Sequence, residues 1–345
     1  MTIQQVVHLV PYDGIGGVET AARTMRNIQD GNINFRVLYI CTNKSREKNL
    51  KSTYNPIRWF LSAWSFRRKD VDILIVSLWR SLIVGILVKI FKPKIKLITF
   101  LHLENDVHLL DYICHKVSIF LSFQIWADSE ATRKGRLSDF LCEQCRVISF
   151  VSKNIEALPT KIVSPVFIFW GRITHQKGLD RAIIIFKEIH KNYNNARFII
   201  IGPDGGSLLK IEKLCKSYCL TESVSFNGPS TFDKIIGLAS EASFYLQTSI
   251  SEGMAMSVIE SMQLGLVPIV TPVGEINSYC KDGSNAVIID SDSKAIKDVL
   301  RLIDSDSQYQ KLRIEAISTW KNKPLYKDSV LDACKQIIEN NYLKF

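Results

Sequence analysis

The sequence has no apolar run long enough to cross a bilayer. Its longest apolar stretch, residues 81–91, is interrupted by Lys89 and is shorter than the about 20 residues that a membrane-spanning helix needs. A basic segment followed by a long apolar segment is missing at the N-terminus, so we expect no secretory signal and a cytoplasmic protein. With 46% hydrophobic and 23% charged residues and no low-complexity tract, the composition is that of a globular protein.

The sequence also lacks the usual patterns of a metal site. Cys142 and Cys145 have the C-x-x-C spacing, but no second cysteine pair or histidine cluster completes a zinc site. Three Asp-x-Asp pairs are interpreted as loop or helix-cap acids: Asp70 with Asp72, Asp290 with Asp292, and Asp304 with Asp306. We therefore expect no requirement for a metal or another cofactor.

Positive charge is concentrated in the first half of the chain. Residues 1–165 hold 23 Lys and Arg against 14 Asp and Glu, whereas residues 166–345 hold 21 against 20. A basic surface attracts nucleic acid, anionic lipid or a phosphorylated substrate, and charge alone does not choose among them.

A length of 345 residues fits two domains, and apolar strands alternate with helical patterns throughout, which predicts parallel, doubly wound α/β sheets. Residues 158–165 carry two prolines and no periodicity, so we place the domain boundary there. The predicted parts are an N-terminal domain, a C-terminal domain and a final helix that packs back on the first domain: 1–162, 163–325 and 326–345. The predicted strands are 6–10, 35–42, 72–78, 96–102 and 123–129, followed by 166–171, 197–203, 223–228, 243–249, 266–271 and 285–290.

Residues 248–262 combine a strand end, a turn and a helix start, and they place Glu252 and Glu260 eight residues apart. A helix beginning near residues 255–257 directs free backbone N–H groups and a positive dipole end at an anion such as a pyrophosphate. Glu260 then suits ribose hydroxyls and Glu252 the hydroxyls of a bound sugar. The spacing by itself also fits two unrelated surface acids.

The longer segment SEGMAMSVIESMQLGLVPIVTPVGEI resembles the retaining glycosyltransferases of family 4, also called glycosyltransferase group 1. The resemblance is strongest over residues 166–290. It implies the GT-B fold, with two Rossmann-like doubly wound domains and the active site in the cleft between them. It also implies that Glu252 and Glu260, with Gly253, Met254 and Ala255, bind the donor.

Two further motifs carry the resemblance. Arg172 and Lys177, in GRITHQKG, match the residues that the family uses on the donor diphosphate. Two fixed cations neutralise the charge that grows on a leaving diphosphate, which replaces a metal ion. Gly16 and Gly17 resemble the family's glycine-rich loop, and they lack the dinucleotide fingerprint, which disfavours a nicotinamide cofactor.

His102, at the end of a predicted strand, resembles the family's active-site histidine; the alternative is a buried histidine bonded to backbone. Glu104 and Ser129 are expected on the acceptor side. The resemblance assigns catalytic roles to His102, Arg172, Lys177 and Glu252.

The expected function is transfer of a hexose-type sugar from a UDP- or GDP-sugar, with retention of configuration, to a saccharide or lipid-linked saccharide. We expect this in the synthesis of a bacterial surface polysaccharide such as O-antigen, capsule or exopolysaccharide. The aromatic and basic residues of 59–69 suit contact with anionic lipid at the inner face of the plasma membrane, although an ordinary buried helix with a charged end explains them equally.

Two other functions stay open. A nucleotide-sugar epimerase or hydrolase of the same fold needs its own acid and base and would release sugar without an acceptor. A basic module that binds anionic surfaces would show salt-sensitive binding unaffected by nucleotide sugars. The resemblance disfavours nucleic acid as a partner.

Overall fold

The computed structural model describes residues 3–14, 16–41, 54–106 and 108–342. The chain divides into two compact units. Unit 1 comprises residues 1–153 and 324–345, and unit 2 comprises residues 154–323. Each unit is an α/β layer structure around a largely parallel sheet, which confirms the predicted pair of Rossmann-like domains.

The described part of unit 1 contains a seven-stranded sheet in the order β2-β3-β1-β4-β5-β6-β7. All neighbours are parallel except β2 with β3, which are antiparallel. The strands are β1 (Gln4–Tyr12), β2 (Ile28–Asp30), β3 (Ile33–Cys41), β4 (Ile73–Ser77), β5 (Lys96–Leu101), β6 (Gln124–Ala127) and β7 (Cys145–Val147). The strands β2 and β7 are absent from the sequence-based prediction because their sequences, IQD and CRV, contain no apolar run.

The helices of unit 1 cover both faces of this sheet. They are α1 (Gly17–Arg23), α2 (Pro56–Ser65), α3 (Trp79–Phe91), α4 (Leu109–Leu121), α5 (Glu130–Arg136), α6 (Asp139–Glu143) and the C-terminal helix, which is called α14 (Tyr326–Tyr342). The core between α2, α3 and the sheet is aliphatic and includes Val7, Leu74 and Leu97, all fully buried. Burial of such side chains is the main stabilising contribution to the unit.

Unit 2 contains, in its described residues, a six-stranded parallel sheet in the order β10-β9-β8-β11-β12-β13. The strands are β8 (Val166–Trp170), β9 (Arg197–Ile201), β10 (Val224–Phe226), β11 (Phe244–Gln247), β12 (Val267–Val270) and β13 (Val287–Ile288). The helices are α7 (Leu179–His190), α8 (Leu208–Ser217), α9 (Phe232–Ala239), α10 (Met256–Leu264), α11 (Ile276–Tyr279), α12 (Asp292–Asp304) and α13 (Asp306–Trp320).

The unit boundary lies between Lys153 and Asn154, upstream of the predicted position at 162/163. The reason is that the proline-bearing segment is hydrogen-bonded to unit 2. The Ile155 backbone N–H donates to Gln263, and the Leu158 N–H donates to the Leu264 carbonyl. Lack of periodicity marked an irregular segment correctly, but it did not show which unit the segment packs against.

Helix α14 belongs to unit 1, and the residues that follow it, 343–345, lie outside the described residues. The Tyr326 N–H donates to the Val151 carbonyl at 2.7 Å, and Tyr326 and Cys334 are buried. Lys335 pairs with Asp30 at 2.7 Å. The helix therefore carries both apolar and ionic contacts within the unit.

Candidate functional site

In both sheets the chain order reverses beside the first strand, and such a reversal leaves an opening at the carboxyl ends of the two strands. In unit 2 the reversal lies between β8 and β11, which are parallel neighbours. The predicted Arg–Lys loop follows β8, and the segment with both glutamates follows β11. The topology therefore brings together the two motifs that the sequence separates by about 75 residues.

The loop after β8 is held against the loop after β11 by Gly178. This residue ends the short 3-10 helix His175–Lys177 at φ +61°, and a Cβ atom there would lie 2.0 Å from the Thr248 carbonyl oxygen. The Thr248 hydroxyl donates to the Gly178 carbonyl. Glycine is required because no other residue allows this close approach.

The approach places Lys177 beside Glu252. The Lys177 Nζ lies 2.6 Å from Glu252 Oε1, and Glu252 is buried with 6% exposure. The same oxygen accepts hydrogen bonds from the Ser249 hydroxyl at 2.6 Å and the Gln247 amide at 3.1 Å. Charge-assisted bonds of this kind hold a carboxylate in one orientation.

A second layer of buried polar groups fixes Gln247. Its side-chain oxygen accepts from the Tyr245 hydroxyl at 2.8 Å and the Ser257 hydroxyl at 3.0 Å. Burial raises the pKa of Tyr245 well above its usual value, so the phenol stays protonated and donates. Gln247 must therefore turn its amide N–H toward Glu252. Neither Tyr245 nor Gln247 is among the residues predicted from sequence, although a glutamine in the apolar strand β11 was a detectable signal.

Helix α10 begins at Met256, within the predicted interval, and Ala255 precedes it with a positive φ of 52°. Glu260 lies one turn into the helix, and its Oε2 accepts a hydrogen bond of 2.9 Å from the Trp170 indole N–H. Trp170 is the last residue of β8, so this bond joins the two sides of the chain reversal. No sequence pattern indicates this bond.

The remaining predicted donor residues lie in the same loops. Arg172 follows β8 and is half-buried, with its aliphatic part facing the position of a Cβ atom at Gly205. Gly253 accepts from the Glu275 N–H, and the Met254 carbonyl accepts from the Tyr279 hydroxyl at 3.0 Å. The structure thus gathers all the predicted residues of unit 2 at one end of its sheet.

In unit 1, Gly16 caps α1 and Gly17 is its first residue. A Cβ atom at Gly16 would lie 2.2 Å from Glu19 Oε2, and Glu19 is buried. A side chain at this position would therefore displace the buried carboxylate of Glu19 on α1. Ile15 lies outside the described residues.

His102 follows β5 and is buried in a chain of hydrogen bonds. Its Nε2 lies 2.8 Å from the Ser77 hydroxyl, and His8 Nε2 lies 2.8 Å from the same hydroxyl. His102 Nδ1 lies 3.5 Å from Asp128 Oδ2, and the Tyr326 hydroxyl lies 3.5 Å from His8 Nδ1. None of these pairings could be inferred from the sequence.

One arrangement of protons satisfies the Ser77 hydroxyl and the Nε2 atoms of both histidines. Ser77 has one hydroxyl proton, so it accepts from one histidine and donates to the other. If His8 donates to Ser77 and Ser77 donates to His102, the N–H at His102 Nδ1 faces the Asp128 carboxylate. Burial first, and the nearby charge of His102 second, lower the pKa of His8 to about 3, so His8 is neutral near pH 7.

The two predicted acceptor-side residues hold the loop after β5 and the start of α5. The Ser129 hydroxyl caps α5 by accepting from the Thr132 N–H, and it donates to Asp128 at 3.0 Å. Glu104 lies against Gly135, where a Cβ atom would meet the Glu104 side chain at 2.5 Å. Both residues thus have structural contacts of their own in unit 1.

One group of possible metal ligands occurs in the described residues: Asp106, Asp111 and His115, with ligand atoms within 4.8 Å of one another. The Arg136 guanidinium contacts Asp106 and lies 3.6 Å from Asp111, so a cation is already present. Arg136 also donates to the Leu103 carbonyl at 2.7 Å, which ties the loop after His102 to α5. The arrangement suits an ion-pair network.

One acid of each Asp-x-Asp pair has a partner within its own unit. Asp72 accepts from the Gln5 N–H, Asp292 pairs with Arg181, and Asp306 accepts from the Val163 N–H. Each contact uses the carboxylate to join separate parts of one unit. These contacts agree with their interpretation as structural acids.

Comparison with known proteins gives the following likenesses. Residues 151–319 match the family model described as glycosyl transferases group 1. Alpha-monoglucosyldiacylglycerol synthase of Acholeplasma laidlawii is 26% identical over 195 residues, which cover 55% of this chain and 48% of that protein. The gpi3 component of phosphatidylinositol N-acetylglucosaminyltransferase from Schizosaccharomyces pombe is 25% identical over 130 residues, 37% of this chain and 28% of that protein.

Among solved structures, HepE of Anabaena in complex with UDP and glucose has a TM-score of 0.73 with 14% identity. The match covers 98% of this chain and 99% of that chain. At this identity the likeness shows the fold alone. The chain matches only about a quarter to a half of the length of the two relatives named above.

Proposed function

We propose that this chain, whose residues 151–319 match the glycosyl transferases group 1 model, is a glycosyltransferase of the GT-B type. It would transfer a hexose-type sugar from a nucleotide-diphosphate sugar with retention of configuration. The observation that carries the proposal is the grouping of Arg172, Lys177, Glu252 and Glu260 at the chain reversal of unit 2.

The diphosphate of the donor is the group that this arrangement fits best. The start of α10 offers backbone N–H groups and the positive end of a helix dipole. The Lys177 side chain is 18% exposed and is positioned by its contact with Glu252. Arg172 and Lys177 together would neutralise the charge on the leaving diphosphate without a metal ion.

The two glutamates would bind hydroxyl groups at the two ends of the donor. Trp170 holds one oxygen of Glu260, which orients the carboxylate for the ribose. Glu252, held by Ser249 and Gln247, would accept from hydroxyls of the transferred sugar. Because the sequence offers no evident carboxylate nucleophile, we propose front-face substitution in which the leaving phosphate takes the acceptor proton. The catalytic role of His102 stays a prediction from the resemblance.

We further propose a lipid-linked saccharide as the acceptor, in bacterial surface polysaccharide synthesis at the inner face of the plasma membrane. The names of the two relatives, a glucosyldiacylglycerol synthase and a component of a phosphatidylinositol glycosyltransferase, support lipid-borne acceptors. In α2, Phe60, Leu61 and Trp64 are exposed, and the Arg67 guanidinium lies 4.2 Å from the Trp64 ring. Exposed aromatic and basic residues of this kind suit a membrane surface.

Thermal unfolding with UDP- and GDP-sugars in the presence of EDTA tests the donor site. Binding to the folded state raises the midpoint, by an amount set by ligand concentration over Kd. We expect one nucleotide sugar to raise the midpoint despite EDTA and to lose most of its effect in Glu260→Ala and Lys177→Ala. A Glu188→Ala, Lys191→Ala variant, which removes an exposed ion pair of the same unit, should keep the full effect.

Three outcomes contradict the proposal. If no nucleotide sugar raises the midpoint of unfolding, the assigned donor site is wrong. If EDTA abolishes the rise in the midpoint, donor binding requires a metal ion. Release of free sugar at the same rate with and without acceptor indicates a hydrolase instead of a transferase.

A further inference from the structure

Helix α4 has its polarity reversed relative to a helix on a water-exposed surface. Its exposed side chains are apolar apart from Lys116: Leu109, Leu110, Tyr112, Ile113, Val117 and Phe120. Phe120 is 87% exposed and Leu109 is 74% exposed. A surface helix normally turns its apolar stripe inward and its polar residues outward.

The buried face of α4 carries the polar residues instead. Asp111 Oδ2 lies 3.6 Å from the Arg136 guanidinium on α5, and the Ser118 hydroxyl lies 2.6 Å from the Thr99 hydroxyl on β5. Both contacts are satisfied within unit 1. The helix is thus anchored to the unit by hydrogen bonds and ion pairs, and its apolar stripe points away from the unit.

The neighbouring helices also expose apolar side chains. Helix α3 packs against both α4 and α2, and it exposes Ile90, while α2 exposes Ile57 and Leu61. Phe123, which follows α4, is 53% exposed. A contiguous apolar surface larger than a few hundred Å² is rare on monomeric proteins and marks a surface that contacts something apolar.

Charge around this surface identifies the partner. Residues 56–96, which form α2, α3 and the segment before β5, hold nine Lys and Arg against two Asp. The Lys116 ammonium lies 5.4 Å from the Tyr112 ring, and the Lys96 ammonium lies 5.3 Å from the Phe123 ring. Long basic side chains beside aromatic rings keep their charges at headgroup level while the stems contact apolar groups.

We propose that the outer face of α4 inserts into the surface of a bilayer that contains anionic lipid. The apolar stripe enters the boundary between headgroups and acyl chains, and the surrounding lysines bind the headgroups. A second copy of the chain fits less well, because self-association through this face would bring two basic rims together. No helix of the described residues is long and apolar enough to span a membrane, so α4 would lie in the plane of the surface.

This inference specifies how a lipid-linked acceptor would be reached, but it does not depend on the proposed catalytic residues. Vesicle binding is therefore measured without nucleotide sugar. Its failure would leave the thermal effect of donors untouched, and failure of the donor site would leave vesicle binding untouched.

Co-sedimentation with vesicles tests the proposal. We use phosphatidylcholine alone and phosphatidylcholine mixed with phosphatidylglycerol, each at low and high salt. We expect stronger binding to the mixed vesicles and weakening by salt. Leu109→Ser with Phe120→Ser should reduce binding at least about tenfold, because each removes an apolar side chain from the bilayer.

The matched control, Leu209→Ser with Ile314→Ser, removes two apolar side chains of unit 2 that are 70% and 59% exposed. We expect it to bind vesicles as the wild type does. Light scattering is measured in parallel. Equal binding by both double variants would overturn the proposal. Absence of vesicle binding by the wild type would also overturn it. If light scattering then shows a wild-type dimer that the α4 variant dissociates, this face serves self-association.

Discussion

The two units use buried polar groups in different ways at the same topological position. At the reversal of unit 2, a cation and a carboxylate are paired, since Lys177 contacts Glu252 and that oxygen takes two further donors. At the reversal of unit 1, between β1 and β4, the buried groups are two histidines sharing the Ser77 hydroxyl. Unit 2 fixes charges there, whereas unit 1 holds at least one neutral imidazole.

Because of this difference, we expect the two units to contribute differently to catalysis and to the pH dependence of stability. Fixed charges in a buried site act strongly on a charge that develops during a reaction. A neutral hydrogen-bonded chain positions side chains and depends on the protonation of its members. We therefore expect charge removal to affect chemistry most in unit 2, and pH to affect stability most in unit 1.

The largest expected effect follows Lys177→Met. Removal of one preorganised charge at a leaving diphosphate lowers kcat by about 10²–10³, judged from comparable electrostatic contributions in other enzymes. Steady-state transfer with the nucleotide sugar found by thermal screening measures it. Lys191→Met, on the exposed end of α7, is the control and should keep its rate.

The single variant also leaves Glu252 buried without its cation, which destabilises unit 2. Lys177→Met with Glu252→Gln removes both charges and should recover thermal stability without recovering the rate. If the double variant regains activity, the pair stabilises the fold and does not act on the donor.

Much of the fold could be predicted because the strands are buried on both faces. Runs such as Phe167–Phe169 and Phe198–Ile201 are continuously apolar, which identifies central parallel strands. The unit boundary could not be predicted, because it depends on contacts between distant segments. Strand β2 was missed for another reason: its partner β3 is adjacent in sequence, but β2 itself has no apolar run. Gln263 and Leu264, which bind the segment after residue 153, are about 100 residues away in sequence.

Candidate site residues could be chosen from the sequence where they stand in a recognisable motif. Arg172, Lys177 and the two glutamates stand in motifs with fixed spacing, and the structure groups them at one sheet edge. The groups that orient them were not predictable. Trp170 sits in an apolar strand and looks like an ordinary core residue, and only the fold places its indole beside Glu260.

The second-largest expected effect is a loss of stability of unit 1 as the pH falls. The pKa of His8 is lowered to about 3 in the folded unit, from 6.5 when unfolded. Below pH 6.5 the imidazole of His8 is therefore protonated in the unfolded chain but stays neutral in the folded unit. Protonation then favours the unfolded chain, so the stability present above pH 6.5 is lost as the pH falls. Between pH 7 and pH 5 the loss is about 2 kcal/mol.

Hydrogen exchange of the β1 amides in unit 1 measures this loss, with the β8 amides of unit 2 as the internal reference. His8→Gln keeps a donor for Ser77 and cannot titrate, so its β1 stability should change less between pH 7 and pH 5. His175→Gln removes an exposed histidine of unit 2, and its β1 amides should behave as those of the wild type. Equal β1 protection of the wild type at both pH values would show that His8 does not govern this unit.

The smallest expected effect is that of Trp170→Phe, which removes the indole N–H from Glu260 and keeps an aromatic ring in β8. A hydrogen bond to a charged group contributes about 1.5–3 kcal/mol when fully formed, but ribose hydroxyls can replace part of it. We therefore expect about a fivefold to tenfold rise in donor Kd, with kcat changed less than twofold. Isothermal titration with the nucleotide alone separates binding of the ribose from binding of the sugar, and Trp320→Phe, whose indole donates to the Met262 sulfur, is the control. A kcat that falls as steeply as with Lys177→Met would mean that Glu260 acts on the reaction itself, and the division between ribose binding by Glu260 and charge stabilisation by Lys177 would be wrong.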